Sequence, residues 1–234
     1  IIDPQEVVKR FGAEPFRFWA AMEGKREKTD FKCSFDRIEG AGKFLTKYWN
    51  IARFISIFDK KEKPRKIESL DLWILKEANK LVEYARKRYE RYDFHNPAIR
   101  IKHFLWEIFA SHYIEMVKNR AYNQNGDFSE DEQNSAIYTL YEVLEKITRI
   151  LAPIIPFITY KIYYSLYGKD VHRMKFPVAD KNVLKEKIEI DKDDIIELNS
   201  IIWKAKKNKG LSLKSSIKEL ILPKRFSCIE KDIM

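Results

Sequence analysis

Residues 43–58, KFLTKYWNIARFISIF, bring together the side chains that recognition of single-stranded RNA requires. Basic side chains bind phosphates, an amide bonds to base edges, and a flat ring supports an unstacked base. The cationic and amide positions here are Lys43, Lys47, Asn50 and Arg53, and the aromatic position among them is Phe54. The chemistry that these residue types indicate is binding of a nucleic acid, without any bond being made or broken.

A helical wheel separates this stretch into two sides. At roughly 100° per residue, Phe54 falls between Lys43 and Lys47. The opposite side is apolar and consists of Phe44, Tyr48, Ile51, Ile55 and Phe58. Two interpretations fit the pattern: an ordinary amphipathic helix with a solvated polar side and one exposed phenylalanine, or a helix that presents an RNA-binding surface.

The remaining sequence offers no second constellation for chemistry. It contains no glycine-rich phosphate loop and no Ser/His/Asp or Cys/His arrangement, and its four histidines do not pair at metal-ligand spacing. Cys33 and Cys228 are too far apart to indicate a disulfide framework or a zinc module, which favours a reducing cytoplasm. We therefore predict no catalytic residue, metal or cofactor. The basic run at residues 204–209 fits either a solvated lysine surface or a second RNA contact.

The charge of the chain favours a polyanionic partner. Its 45 basic and 35 acidic residues give a net charge of +10. A heavily charged solvated surface of the thermophile kind fits the same composition. The longest apolar run, near residues 150–158, is short and broken by Pro153 and Pro156, so no transmembrane segment is predicted. The opening IIDPQEVVKRFG has neither an initiator methionine nor a targeting pattern, which indicates a piece of a longer polypeptide.

Apolar periodicity predicts helices along most of the chain. A short helix capped by Asp3 ends at Gly12, another covers 15–22, and residues 23–34 form a loop. Long helices follow over 38–58, over 69–92 with Ser69 or Asp71 as the cap, over 97–122, and from Ser129 to Pro153. A further helix ends at Gly168. The predicted fold class is all-α, an antiparallel helix bundle.

The tail after residue 176 differs from the bundle. It has an acidic stretch, a basic helix IIELNSIIWKAKKNKG, and then IKELILP, which is typical of a strand. A small mixed α/β appendage is therefore expected. The predicted organisation is a first region over 1–36, a helical bundle over 37–176 and the appendage over 177–234.

Four blocks of sequence resemble class I aminoacyl-tRNA synthetases in the order of that family. The first is IIDPQEVVKRFGAEPFRFW, which is similar to the segment after the Lys-Met-Ser-Lys-Ser signature. The others begin FDRIEGAGKFLTKYWNIARF, LDLWILKEANKL and ILAPIIPFITYKIYYSL. Within the class, RIEG, KYWNIARF and KKNKGLSLKSSIKEL look most like the archaeal valyl branch, with the isoleucyl branch as the alternative. Thr46 departs from the asparagine usual in the family.

The resemblance implies a stem-contact region over 1–36 followed by an anticodon-binding bundle that contacts valine tRNA. It implies that Lys47, Arg53 and Phe54 meet the tRNA, with Phe54 stacking in the anticodon loop. Lys32 and Arg37 correspond to basic positions before that helix. The parent reaction would be ATP- and Mg-dependent aminoacylation. Because this chain lacks the His-Ile-Gly-His and Lys-Met-Ser-Lys-Ser motifs and any editing domain, we expect it to be inactive alone. A monomer is expected.

An interpretation from a different class also stays open. A helical protein-interaction module could expose the same basic surface without binding RNA. It predicts that the side of the helix carrying Lys47, Arg53 and Phe54 is packed inside the bundle, whereas RNA binding requires that side to be accessible.

Overall fold

A computed structural model describes residues 2–25, 32–212, 215 and 220–233. Within those residues the chain is helical and contains no strand. The α-helices, in chain order, are α1 (Pro4–Phe11), α2 (Ala13–Glu23), α3 (Phe35–Ile55), α4 (Ser69–Tyr89), α5 (His95–His103), α6 (Glu115–Tyr122), α7 (Glu130–Leu151), α8 (Pro156–Tyr167), α9 (Lys181–Lys185), α10 (Lys192–Asn208) and α11 (Glu230–Ile233). The predicted all-α bundle is confirmed.

Capping residues explain why the helices begin and end where they do. Asp3 caps α1 by accepting a hydrogen bond from Gln5 N, and Gly12 ends it with φ 87°. Ser129 and Glu132 form a reciprocal capping box at the start of α7. Gly168 ends α8 in the left-handed conformation, at φ 65°, which glycine adopts without steric cost. These boundaries agree with the sequence to within a few residues.

A π-helical segment, Phe104–Ile114, joins α5 to α6 and makes one continuous rod from residue 95 to 122. The sequence predicts an uninterrupted α-helix over 97–122, and the π-helical segment corrects that prediction. Eight of its eleven residues are buried, so the segment has no single polar side. Phe104, Ile108, Phe109 and Tyr113 are all among the buried side chains. A π turn redistributes such side chains around the rod.

One large hydrophobic core joins the elements, beside a small second cluster of Ala152, Tyr163 and Val171. The large core extends from Val7 in α1 through α3, α4, the rod at 95–122 and α7 to Ile229 near the end of the described chain. α4 packs chiefly on α7, and α2 packs on α3. Tyr48 in α3 and Thr148 in α7 join their hydroxyls at 2.7 Å inside this core.

The first helices are attached to α8 across a long stretch of sequence. Glu14 in α2 accepts hydrogen bonds from the backbone N–H groups of Phe157, at 3.0 Å, and Ile158, at 2.8 Å. Arg17 Nε donates to the carbonyl of Ile154 at 2.8 Å. The carboxylate of Glu14 therefore satisfies free donors at the N-terminus of α8 and complements its helix dipole.

The tail corrects the predicted α/β appendage. Its described part consists of α9, α10, a 3₁₀ segment Lys224–Ile229 and α11. Of the predicted strand IKELILP, residues 217–219 lie outside the described residues, and 220–223 form no strand. A short apolar run alone does not distinguish a strand from other buried segments. Ile195, Leu198 and Ile202 of α10 and Phe226 lie in the main core.

A buried polar network holds α4, α6, α7 and α11 together. Arg120 donates to both carboxylate oxygens of Asp71, each at 2.7 Å, and to Asp232 Oδ1 at 2.7 Å. Tyr113 and Ser135 also donate to Asp71, at 2.7 and 2.5 Å. Asp71 is wholly buried and Arg120 is 2 % exposed. Each buried charge is thus paired and hydrogen-bonded, as a low-dielectric environment requires.

Candidate nucleic-acid interface

Burial of the apolar side chains of α3 in the core fixes which side of this helix faces outward. Phe44, Tyr48 and Ile55 have no exposed surface, and Ile51 and Phe58 are also buried. The helix starts at residue 35, where Ser34 accepts a hydrogen bond from the backbone N–H of Arg37. The predicted apolar side of the wheel is confirmed. The polar side consequently runs along the outside of the bundle.

Two of the predicted contacts, Asn50 and Arg53, are exposed on neighbouring turns of α3. Within the residues that the structure describes, the guanidinium of Arg53 makes no ion pair, so it is available to a phosphate. Trp49 lies beside Asn50 and is 37 % exposed. The wheel does not single out this tryptophan, because it lies next to the apolar arc.

Lys47 is held against the π-helical segment. Its Nζ lies 4.5 Å from the centre of the Trp106 ring and 3.4 Å from Ser111 Oγ. Partial burial lowers the pKa of Lys47, while Glu107 and Glu115 act in the opposite direction. Ser111 Oγ in turn donates to the carbonyl of Trp106 at 2.9 Å. Lys47 is therefore a partly covered cation, with less freedom than the sequence suggests.

Phe54 belongs to a cluster of three rings at the end of α3. Its centroid lies 5.4 Å from that of Phe58 and 5.9 Å from that of Tyr122, both in edge-to-face arrangements. Phe58 and Tyr122 are 5.1 Å apart. Phe54 is only partly exposed, whereas Tyr122 is 39 % exposed. Tyr122 is thus the more accessible ring. Because it lies at the end of a separate helix, the periodicity of α3 does not predict that it is near Phe54.

The remaining predicted positions lie towards the start of α3. Arg37 pairs with Glu23 at 2.5 Å, and Lys43 pairs with Glu39 at 2.9 Å, which raises the pKa of Lys43. Exposed pairs of this kind contribute little and exchange partners readily. Lys32 is exposed and directly follows residues 26–31, which lie outside the described part.

Six of the seven predicted positions thus form a row along α3 rather than a compact cavity, and Lys32 precedes that helix. Arg37 and Phe54 are 17 helical steps apart, which corresponds to about 26 Å along the helix axis. The row combines exposed cations, an amide and a ring cluster at one end. The protein-interaction hypothesis predicted that Lys47, Arg53 and Phe54 would be packed inside: Arg53 is exposed, and the other two are half-buried.

The described part of the chain shows neither a metal-binding cluster nor a membrane span. No group of three His, Cys, Asp or Glu side chains among those residues is placed to hold a metal ion. None of the helices described is long and apolar enough to cross a bilayer.

Comparison with known proteins gives matches over most of the chain. Residues 71–221 match the family described as anticodon-binding domain of tRNA ligase. A valine–tRNA ligase of Aeropyrum pernix is 34 % identical over 242 residues, covering 100 % of this chain and 29 % of the relative. A valine–tRNA ligase of Pyrobaculum aerophilum is 36 % identical over 219 residues, covering 91 % and 26 %. The chain therefore spans little more than a quarter of these relatives.

A solved structure shares the fold. It is the crystal structure of a ternary complex of LeuRS from Agrobacterium radiobacter K84 with tRNA and LeuAMS. The TM-score is 0.56 at 16 % identity, and the match covers 95 % of this chain and 28 % of that one. At this identity the likeness concerns the helical architecture.

Proposed function

Because the chain belongs to the family of anticodon-binding domains of tRNA ligases, we propose that it binds the anticodon arm of a tRNA through the outer side of α3. The observation that carries this proposal is the arrangement of that helix. It buries its apolar side and leaves Asn50 and Arg53 exposed beside the cluster of Phe54 and Tyr122. Cations for phosphates and rings for unstacked bases are the groups that RNA loops require.

We further propose that the tRNA is a valine isoacceptor and that the chain is part of a valine–tRNA ligase. Relatives from two archaea that match along nearly the whole chain carry that name, which supports valine over isoleucine. The parent enzyme would attach valine to tRNA using ATP and Mg. This chain would position the tRNA for that reaction, because small misplacement of reacting groups is expensive. Alone it would be inactive.

We propose a separate role for each of the three regions predicted from the sequence. Residues 1–36 would contact the stem, 37–176 would bind the anticodon arm, and 177–234 would support the bundle. The positions proposed to meet tRNA are Lys32, Arg37, Lys43, Lys47, Asn50, Arg53 and Phe54. We propose that the protein acts in the cytoplasm as a monomer.

Salt-dependent titration with an unmodified valine tRNA transcript tests this proposal. Arg53→Ala should weaken binding and reduce the slope of log affinity against log salt by about 1, because it removes one phosphate contact. Lys87→Ala removes another exposed cation, on α4, and should change neither quantity. Phe54→Ala should lower affinity with little change of slope.

A second tRNA distinguishes anticodon recognition from general RNA affinity. A transcript differing only in its anticodon should bind the unsubstituted chain more weakly than valine tRNA does. Equal affinity for both would refute anticodon reading. Equal salt slopes for Arg53→Ala and the unsubstituted chain would refute the assignment of the α3 surface.

A further inference from the structure

A groove opens beside Tyr122, the most exposed ring of the cluster at the end of α3. It has a volume of about 560 Å3, within the range of roughly 300–1,000 Å3 typical of small-ligand sites. Amide side chains dominate its lining: Asn119 from α6, and Gln124 and Asn125 from the loop after it. This groove lies outside the row of residues predicted from sequence.

The loop that forms the groove is held in shape by its own hydrogen bonds. Asn123 adopts the left-handed conformation, at φ 46°. Its side chain accepts from the backbone N–H of Phe128 at 3.0 Å and donates to the carbonyl of Phe128 at 2.7 Å. The amide of Asn123 is therefore occupied in closing residues 123–128 into a defined turn. The geometry exists before any ligand arrives.

The other three amides are unoccupied. Asn119, Gln124 and Asn125 are exposed, and among the described residues their side chains make no hydrogen bond. An amide offers a carbonyl acceptor next to two N–H donors. Nucleobase edges present donors and acceptors side by side, and asparagine or glutamine can bond two of them at once. The free amides thus match the edge of a base.

The charges of the groove disfavour a phosphate within it. Asp127 contributes a carboxylate to the lining. Lys231, the cation in the lining, already pairs with Glu132 at 2.7 Å. A neutral polar ligand therefore fits this groove better than an anion. Tyr122 supplies the apolar wall, since 39 % of its surface is exposed while Phe54 and Phe58 hold its ring.

We propose that the groove takes one unpaired base of the bound RNA, which stacks on Tyr122 and is hydrogen-bonded along its edge by Asn119, Gln124 and Asn125. The inference rests on the proposed function, because the groove continues from the ring cluster at the end of α3. It makes these amides specificity-determining residues, whereas the cations of α3 bind the backbone irrespective of sequence.

The experiment uses the 234-residue chain and valine tRNAs. One tRNA is intact, and each of the others carries an abasic nucleotide at one position of the anticodon loop. The double variant Gln124→Ala/Asn125→Ala should bind intact tRNA about 5- to 30-fold more weakly, the loss expected for one or two hydrogen bonds. Asn182→Ala, which removes an exposed amide in α9, is the matched control and should bind normally.

The tRNAs lacking one base locate the interaction. With one of them, the loss caused by the double variant should disappear, because the base that the amides contact is already missing. With the others the loss should persist. Circular dichroism melting checks that the exposed substitutions leave the fold intact.

The outcomes separate the two proposals. Unchanged affinity of the double variant for intact tRNA, or the same loss with every tRNA, overturns the amide groove while tRNA binding stands. If the unsubstituted chain does not bind the intact tRNA, both proposals fail.

Discussion

At the scale of single residues, the buried polar network is the feature least apparent from sequence. Asp71 near the start of α4 has the position of a helix cap, yet it lies wholly inside the protein and binds Arg120. The N-cap of α4 is Glu68, which makes no side-chain capping bond. A carboxylate near a helix start suits either role, and only the distant partners Tyr113, Arg120 and Ser135 decide between them.

The same limit applies to the candidate interface. Local periodicity identifies which side of α3 is apolar, because the wheel uses residues close in sequence. It cannot identify Trp106 beside Lys47, or Tyr122 beside Phe54, which are 59 and 68 residues away in sequence. The degree to which Lys47 and Phe54 are covered was unpredictable for that reason.

Asp232 makes stability depend on pH. Burial raises the pKa of Asp232 to about 6 in spite of Arg120, which acts in the opposite direction. Because this folded-state pKa lies above that of the unfolded chain, near 3.9, the contribution of Asp232 to stability is full below about pH 4. It is lost as the pH rises through about 6.

The prediction concerns the difference in unfolding free energy between the unsubstituted chain and Asp232→Asn. From pH 4 to pH 7 the unsubstituted chain should lose about 2–3 kcal/mol of unfolding free energy relative to Asp232→Asn. Urea unfolding at intervals across this range measures it. A difference that stays constant with pH would show that Asp232 titrates normally.

At the scale of elements, end signals account for most of the agreement with sequence. Ser129, Gly12 and Gly168 mark boundaries by local chemistry that needs no tertiary context. The π-helical segment escapes such analysis because FLWEIFASHYI is apolar nearly throughout and shows no polar side. The tail was harder still, since its short apolar runs lack a distinctive period.

The capping box of α7 is expected to contribute measurably to stability. Ser129→Ala removes the acceptor of the Glu132 N–H bond and should lower the free energy of unfolding by about 1 kcal/mol. Ser165→Ala, at an exposed position within α8, is the control and should change it by less than about 0.5 kcal/mol. Chemical denaturation measures both. Equal stability of the two variants would contradict the capping role.

At the scale of the whole molecule, the continuous core predicts a single unfolding transition. Tryptophans lie in α2, α3, α4, the π-helical segment and α10, at positions 19, 49, 73, 106 and 203. Their fluorescence therefore reports on both the bundle and the tail. We expect its midpoint in urea to coincide with that of far-ultraviolet circular dichroism. Two separated midpoints would show that the tail unfolds as an independent unit.

The contact between Glu14 and the start of α8 sets an order of events during synthesis. Its two hydrogen bonds join residues 143 and 144 positions apart. At about 5–20 residues per second, a ribosome needs roughly 7–30 s to make the intervening chain. During that interval α2 can dock on α3, but the carboxylate that will cap α8 has no partner to cap. The end of the bundle that contains α2 is thus made early and completed late.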